Sequence, residues 1–397
     1  RMKNVIIHGD CIEKLRELPD NSIDSCVTDP PYGLSREPDI REVLTKWMNG
    51  EDYTHRGGGF MGKTWDSFVP GPSVWREVYR VLKPGAHLLC FAGTRTQDLM
   101  TISLRLAGFE IRDVIEWLYF SGFPKSLDVG KAFDKRAGAK RDVIGIRSAP
   151  NGKPGGYTGE RYKEKRKTAF GIVQDQPELT APATPLARKW DGWGTSLKPS
   201  HEPIILARKP LDGTVADNVE RWGTGALNID GCRIPVDSTE KGYFKVSPEP
   251  TEAEDRKVYG FATYDKLYKR GGGNEKGRFP ANCITLEPDA FYSKYFNITP
   301  PELSKKASKR DRLSTWDGGQ VEANRHPTVK PTDLMAWLVR LITPPGGTVL
   351  DPFAGSGSTL VAAKREGFSY VGIEREKEYV EIARARVDGD PQEENNL

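Results

Sequence analysis

Residues 29–32 combine hydrogen-bond acceptors with an aromatic ring. Asp29, Pro30, Pro31 and Tyr32 follow directly on the apolar stretch 23–28, which predicts a strand. Asp29 supplies a carboxylate, and the two prolines fix their own φ angles and so hold the Pro30 carbonyl oxygen still. Tyr32 adds a ring on which a planar ligand can stack. These residue types are suited to binding the N–H groups of a flat molecule.

A second candidate site lies in residues 346–387. The pattern there predicts a strand, a loop with Gly355 and Gly357, a helix, another strand and then Glu374. Glu374 lies 23 positions after Asp351, close to the spacing of about 20 expected for an acid on ribose hydroxyls. No Lys-Ser/Thr pair follows the last glycine, so ATP or GTP chemistry is not expected. Asp351 could receive a cationic group, which favours a ligand with an amino-acid end and a ribose; a tight turn without a ligand is the alternative.

The elements that must position these residues alternate between strand and helix. This alternation occupies roughly the first 130 and the last 75 residues and predicts an α/β fold with a mostly parallel sheet. Glycine, proline and charged residues dominate the middle of the chain, where residues 202–209 form a strand candidate. We expect that strand to return to the sheet and to divide the insertion into two pieces.

Local composition separates those two pieces. The net charge of +4 is too small to indicate a polyanionic partner by itself. Residues 131–195, however, contain 14 Lys+Arg and 7 Asp+Glu. Residues 211–323 interleave aromatic with basic residues, a composition suited to stacking on bases and neutralising phosphates. A solvated surface and an ordinary loop-rich lobe are the alternatives.

Cysteine, histidine and apolar residues exclude several other classes. The 5 cysteines and 5 histidines are scattered and lack C-x-x-C spacing, so neither structural zinc nor a disulfide framework is expected. No apolar run approaches the roughly 18 residues of a membrane span, and the first residues lack the apolar core of a signal peptide. We expect a cytoplasmic protein without metal or membrane; whether it is a monomer or a dimer is open.

Taken together, DPPY (29–32) and DPFAGSGST (351–359) resemble motifs of the amino-type DNA methyltransferases that use S-adenosyl-L-methionine. The catalytic motif comes first, then a large insertion, and the cofactor motif comes last. That order resembles the circularly permuted beta class of the family. The resemblance implies a mixed, seven-stranded Rossmann-like methyltransferase sheet with an inserted target-recognition region.

The resemblance and the composition divide the chain into six segments. We expect a first catalytic part at 1–130, a basic insertion that contacts DNA at 131–195, a strand returning to the sheet at 196–210, a target-recognition region at 211–323, a cofactor-binding part at 324–388 and a disordered tail at 389–397.

The resemblance also implies cofactor contacts, carried over position by position. They are Asp10 and Cys11 at the adenine ring, Glu374 at the ribose, Asp351, Phe353, Gly355, Gly357 and Thr359 in the loop around the methionine part, and His326, Thr328 and Lys330 at the methionine carboxylate and amine. For Lys330, a surface lysine beside a helix is the alternative.

In this family the tetrapeptide acts on an exocyclic amine, whose lone pair is delocalised into the base. Acceptors from Asp29 and the Pro30 carbonyl would localise that lone pair during attack on the methyl group. Because a paired base hides its amine, the nucleotide must flip out of duplex DNA and stack on Tyr32. The glycine-rich stretch 53–66 has the composition of a mobile flap that could close over the base, and a disordered surface loop is the alternative. Candidate DNA-binding residues are Arg56, Lys63, Lys163, Lys165, Arg166 and Lys167.

Three rival functions remain. An Asp at the first motif position favours N6 of adenine, whereas methylation of N4 of cytosine on the same fold is the nearest alternative. Methylation of RNA or of a protein amide would more often have Asn at that position. A non-catalytic DNA-binding protein with the same fold is the rival from another class. The recognition sequence and the biological setting cannot be read from these motifs.

Overall fold

The computed structural model describes residues 3–34, 37–55, 67–119, 126–146, 167–168, 171–172, 178–234, 276–285, 297–298 and 329–389. The chain divides into two compact units. The first consists of Arg1–Phe120 and His201–Leu397, and the second of Ser121–Ser200.

The strands of the described residues are β1 (Val5–His8), β2 (Ile23–Thr28), β3 (Leu82–Phe91), β4 (Glu110–Leu118), β5 (Val143–Ile146), β6 (Lys167–Thr168), β7 (Gly171–Ile172), β8 (Glu178–Thr180), β9 (His201–Arg208), β10 (Cys283–Thr285), β11 (Asn297–Ile298), β12 (Thr348–Asp351) and β13 (Ser369–Glu374). The helices are α1 (Cys11–Arg16), α2 (Ile40–Met48), α3 (Pro72–Val81), α4 (Gln97–Leu106), α5 (Val129–Arg136), α6 (Pro185–Lys189), α7 (Val215–Trp222), α8 (Thr332–Ile342), α9 (Ser358–Arg365) and α10 (Lys377–Asp388). None of the helices in the described part of the chain has the length and apolarity needed to cross a bilayer.

A mixed sheet organises the first unit, with the strand order β1-β13-β12-β2-β3-β9-β4-β10-β11. The five strands from β1 to β3 in this order are parallel to their neighbours. The strand expected at 202–209 is β9, and it runs antiparallel to both β3 and β4. Beyond β4, β10 and β11 continue the sheet in parallel.

The strand order reverses between β12 and β2. From β12 the chain passes through α9 to β13 on one side, whereas from β2 it passes through α2 and α3 to β3 on the other. In open α/β sheets, ligands bind outside the carboxyl ends of the strands at such a switch point. The residues that follow β12 and β2 are therefore the first place to look for a site.

Helices cover both faces of the sheet. Along β2 and β3, Val27 and Leu89 pack into a core shared with α8 and α9, whereas Cys26 and Leu88 pack into a second core shared with α3 and α4. All four residues are fully buried. Because successive side chains of a strand point to opposite faces, this division places one apolar layer on each side of the sheet.

Two details of the predicted elements are wrong. The described sheet has nine strands rather than seven. The difference lies at the β4 edge, where β10 and β11 have only 3 and 2 residues and are too short to show a periodic sequence pattern. The sequence pattern of residues 72–85 also predicts a helix that is closed by Pro84-Gly85. In the structure this helix ends at Val81, and β3 begins directly at Leu82. Leu82 is buried and has extended backbone, and the helical conformation is disfavoured for Lys83 because Pro84 follows it.

The second unit has a buried carboxylate at its centre. Asp134, at the end of α5, is 1% exposed and accepts hydrogen bonds from the Ala183 N–H (3.0 Å), the Thr184 N–H (2.9 Å) and Arg141 Nη1 (2.8 Å). These bonds join α5 to the segment that leads into α6. In the same unit β5 pairs with β8, and β6 pairs with β7.

Candidate active site

Acidic residues occur at the ends of four neighbouring parallel strands. Glu374 and Asp351 are the last residues of β13 and β12. Asp29 follows β2 directly, and Asp10 follows shortly after β1. Since the carboxyl ends of parallel strands share one edge of a sheet, these four acids belong to the same edge.

Asp351 links the two strands of the switch point. It is 2% exposed and accepts hydrogen bonds from Thr28 Oγ1 (2.7 Å) and from the Phe353 N–H (3.1 Å). Burial raises the pKa of Asp351 to about 6, although hydrogen bonds from Thr359 and Thr28 act in the opposite direction. Because Thr28 immediately precedes Asp29, this contact brings the glycine loop next to the 29–32 segment.

The loop after β12 depends on two glycines with left-handed backbone. Gly355 has a φ of +50° and Gly357 a φ of +83°. Gly357 starts α9 against α10, since a Cβ there would lie 2.9 Å from the Cβ of Ala383. Arg386 of α10 is 4% exposed and donates from Nη1 to the Ser356 carbonyl (2.6 Å) and to Ser356 Oγ (2.9 Å). The loop is therefore fixed by α10.

Glu374 holds the same loop from β13. Its Oε2 accepts the Gly355 N–H (2.8 Å) and its Oε1 accepts the Glu376 N–H (2.7 Å). Burial raises the pKa of Glu374, and the backbone hydrogen bonds of Glu376 and Gly355 oppose that shift. A carboxylate has about four lone-pair sites, so these two bonds leave acceptor capacity for a ligand.

The remaining predicted residues of this region lie on adjoining elements. Asp10 caps α1 by accepting the Ile12 N–H (2.9 Å). Cys11 is half-buried, and burial raises the pKa of its thiol to about 12, so it is a thiol rather than a thiolate at neutral pH. The ring centroid of Phe353 lies 6.2 Å from that of Trp75 in α3.

Lys330 organises the 29–32 segment. Its Nζ donates to Asp29 Oδ2 (2.8 Å) and to the Tyr32 hydroxyl (2.9 Å), and it lies 3.1 Å from Glu202 Oε2. The Tyr32 hydroxyl in turn donates to Glu202 Oε2 (2.9 Å). Lys330 is 8% exposed. Burial lowers the pKa of Lys330, but the charges of Asp29 and Glu202 outweigh burial and raise it above the ordinary lysine value.

Tyr32 is also held through its backbone. Thr96 Oγ1 donates to the Tyr32 carbonyl (2.6 Å), and Gly33 turns the chain with a φ of +66°. A Cβ on Gly33 would lie 3.0 Å from the Val69 backbone nitrogen. Burial first, and then the charges of Asp29 and Glu202, raise the pKa of Tyr32 well above its ordinary value. Tyr32 therefore stays a neutral phenol at physiological pH.

The structure locates some predicted residues and not others. It brings Asp29, Tyr32, Asp351, Glu374 and Asp10 to one edge of the sheet, with Pro30 buried and Pro31 partly exposed. The described ion pairs of Lys330 are with Asp29 and Glu202, not with a residue of the glycine loop. A contact of Lys330 with the methionine part of a cofactor stays a prediction. The residues His326, Thr328, Arg56, Lys63, Lys163, Lys165 and Arg166 lie outside the described residues, and Lys167 is in β6 of the second unit.

Glu202 is the site residue that the sequence analysis missed. It is the second residue of β9, which was recognised as a strand but not as a source of a functional side chain. The available signal was a glutamate directly before a buried apolar run. In the described part of the chain, no group of three or more His, Cys, Asp or Glu side chains is arranged to hold a metal ion.

Comparison with known proteins defines the class. Residues 23–385 match the family model for N6/N4 methyltransferases, described as DNA methylase, and the chain belongs to this family. The protein is therefore a DNA methyltransferase. The type II methyltransferase M.HindIII of Haemophilus influenzae is 22% identical over 406 residues, which cover 97% of this chain and 96% of that protein. The type II methyltransferase M2.DpnII of Streptococcus pneumoniae is 47% identical over 102 residues, which are 24% of this chain and 37% of that protein.

Solved structures give more distant similarities. A DNA modification methylase of Thermus thermophilus complexed with S-adenosyl-L-methionine aligns with a TM-score of 0.40 and 17% identity, covering 97% of this chain and 96% of that one. The cytosine-N4-specific PvuII DNA methyltransferase aligns with a TM-score of 0.44 and 14% identity, covering 100% of this chain and 88% of that one.

Proposed function

We propose that this DNA methyltransferase transfers a methyl group from S-adenosyl-L-methionine to the exocyclic N6 amine of an adenine in duplex DNA. The observation that carries the proposal is the hydrogen bond between Thr28 and Asp351. It joins the end of the strand that leads into Asp29 to the end of the strand that leads into the glycine loop. An amine held at Asp29 and a cofactor held at the loop would thus be neighbours.

The loop residues suit S-adenosyl-L-methionine, which supplies a methyl group on a cationic sulfur. Gly355 and Gly357 let a ligand approach the backbone closely. Glu374 ends β13 and keeps acceptor capacity for the ribose hydroxyls. Asp351 supplies a carboxylate for the cationic amine of the methionine part. Asp10 and Cys11, at the start of α1, are assigned to the adenine ring.

Asp29 and the Pro30 carbonyl would hold the two N–H groups of the target amine. Acceptors on both hydrogens favour a tetrahedral nitrogen whose lone pair points at the methyl group. Transfer would form an N–C bond on the target amine as the S–C bond of S-adenosyl-L-methionine breaks, and the nitrogen would then lose one proton. Asp29 would accept that proton. No covalent bond between enzyme and DNA is required.

Tyr32 would support the target base after it leaves the duplex. Flipping a base costs a few kcal/mol, and stacking returns part of that energy. Its hydroxyl is fixed by Lys330 and Glu202, so the ring plane is set before the base arrives. Basic residues of the 131–195 insertion and of the glycine-rich stretch 53–66 would bind DNA phosphates.

The choice of adenine rests on the first residue of the tetrapeptide. Asp29 stands where the resemblance associates Asp with adenine and Ser with cytosine. N4-cytosine methylation is the alternative, because its amine has the same geometry and would meet the same acceptors.

Nucleoside analysis tests the proposal. Purified protein is incubated with methyl-labelled S-adenosyl-L-methionine and unmethylated genomic DNA of mixed composition, and the DNA is digested to nucleosides. We expect the label in N6-methyl-2′-deoxyadenosine. Label confined to N4-methylcytosine would overturn the base assignment. A complete lack of transfer, with the cofactor bound, would contradict the proposed reaction on this DNA.

A further inference from the structure

The antiparallel direction of β9 brings an additional carboxylate to the site. β9 lies between β3 and β4 and runs opposite to both, so its beginning meets their carboxyl ends. Glu202, its second residue, stands opposite Trp117, near the end of β4. The residue lies at the same edge as Asp29, although the two are far apart in the chain.

Glu202 contacts two residues of the site with one oxygen. Its Oε2 lies 3.1 Å from Lys330 Nζ and accepts the Tyr32 hydroxyl at 2.9 Å. Lys330 Nζ donates to Asp29 Oδ2 at 2.8 Å. The side chains of Glu202 and Asp29 are 23% and 20% exposed, and that of Lys330 is 9% exposed. One ammonium group is thus shared by two partly buried carboxylates.

This arrangement restricts both Lys330 and Tyr32. A buried ammonium group is stable only when its charge is balanced and its N–H groups are paired. Lys330 also lies over the Phe91 ring, with Nζ 4.8 Å from the ring centroid. Glu202 on β9 and Asp29 both bind the ammonium group of Lys330. Glu202 also accepts the hydrogen bond of the Tyr32 hydroxyl. Without that carboxylate, Lys330 and the Tyr32 hydroxyl each lose a partner.

We infer that Glu202 is a positioning residue for methyl transfer: it anchors Lys330 and the Tyr32 hydroxyl, and thereby fixes the Asp29 carboxylate and the Tyr32 ring where the target amine must sit. This inference rests on the proposed function of the 29–32 segment. Glu202 itself touches neither the amine nor the methyl group. Its effect is exerted through Lys330 and Tyr32, so loss of Glu202 should lower the rate of methyl transfer and not the affinity for the cofactor.

The test is single-turnover methyl transfer by the Glu202→Gln variant of the full chain. The amide keeps the shape of the side chain and one acceptor but removes the charge that holds Lys330. A misplacement of about 1 Å at a reacting group can cost about 100-fold in rate, so a displaced Asp29 carboxylate should reduce transfer about 10- to 100-fold. We expect that loss in the transfer rate, with the cofactor Kd and the DNA Kd changed by less than about twofold.

A double-mutant cycle separates positioning from a general effect on folding. If Glu202 acts through Lys330 and the Tyr32 hydroxyl, adding Glu202→Gln to a Lys330→Met/Tyr32→Phe variant, which lacks both contacts, should lower the remaining rate by less than about twofold. Glu202→Asp retains the charge and should recover part of the rate. Glu110→Gln is the matched control. It removes a carboxylate of β4 that pairs at 2.7 Å with Arg208, which lies on β9 like Glu202, and it should leave the rate near wild type.

Two outcomes would overturn the inference. One is a Glu202→Gln variant that folds, binds cofactor and transfers at more than about half the wild-type rate. The other is a loss of the same size in the Lys330→Met/Tyr32→Phe background, which would show that Glu202 acts independently of both partners. A wild-type protein that transfers no methyl group to DNA would instead contradict the proposed function, so the two failures are distinguishable. Melting temperature and cofactor binding establish that each variant is folded.

Discussion

Asp351 is a carboxyl group whose surroundings favour the neutral form. Burial raises its pKa to about 6, even though Thr359, Thr28 and the Phe353 N–H donate hydrogen bonds to it. A cationic amine bound beside it would favour the ionised form instead. If the cofactor amine binds beside Asp351, as proposed, its binding releases a proton whenever the pH lies below about 6.

This linkage predicts a pH-dependent affinity for S-adenosyl-L-methionine. Below pH 6 the proton must be removed before binding, so affinity should fall by about tenfold for each further pH unit and level off above pH 6. Calorimetric titration between pH 5 and pH 8 measures the effect. The Asp351→Asn variant should bind more weakly at pH 7 and lack this dependence. An equal pH dependence in that variant would contradict the role given to Asp351.

Helix α9 shows how two elements fix the loop. It begins after Gly357 and is followed by Gly367, and both glycines have left-handed backbone, with φ of +83° and +76°. Their surroundings differ. A Cβ at Gly357 would meet Ala383 of α10 at 2.9 Å, whereas a Cβ at Gly367 would have no heavy atom within 4 Å.

Alanine at these two glycines should therefore have different consequences. Gly367→Ala should lower the free energy of unfolding by about 1 kcal/mol, because only the left-handed backbone is strained. Gly357→Ala has the same strain and also displaces α9 from α10, so it should lower the free energy of unfolding by about 2–4 kcal/mol. Denaturant unfolding measures both values, and titration with cofactor should show weaker binding for Gly357→Ala only. Equal losses of stability and equal cofactor affinities would mean that contact with α10 does not position the loop.

Sequence patterns identified the elements better than they identified the cluster around Asp29. Motif spacing located Asp29, Asp351 and Glu374, because each follows or ends a strand with a clear apolar pattern. The partnership of Lys330 with Asp29 joins residues 301 positions apart and depends on tertiary packing. Glu202 reaches the site only because β9 is antiparallel, and strand direction has no signature in the sequence of a single strand.

At the scale of the whole molecule, charge is unevenly distributed along the chain. Residues 131–195 have 14 basic and 7 acidic residues, whereas the whole chain has a net charge of +4. The proposed contact of this segment with DNA rests on that composition.

The affinity for DNA should fall with rising salt concentration if basic residues of this segment contact phosphates. Each phosphate contact contributes about −0.9 to the slope of log K against log salt concentration. Replacing Lys163, Lys165, Arg166 and Lys167 by glutamine should reduce that slope by up to about 3–4 if all four touch phosphates. Fluorescence anisotropy on a duplex, at several salt concentrations, gives the slopes, and cofactor affinity serves as the control. An unchanged slope would mean that these four residues do not contact phosphates and that the segment is solvated surface.

The most direct test of the central claim is methyl transfer by the Asp29→Ala variant compared with wild type. Labelled S-adenosyl-L-methionine and unmethylated DNA give the transfer rate, and calorimetry on the same samples gives the cofactor Kd. Because Asp29 acts on the amine, we expect transfer to fall by about 10³-fold or more, with the Kd changed by less than about threefold. Transfer retained in Asp29→Ala, with weakened cofactor binding, would contradict the account.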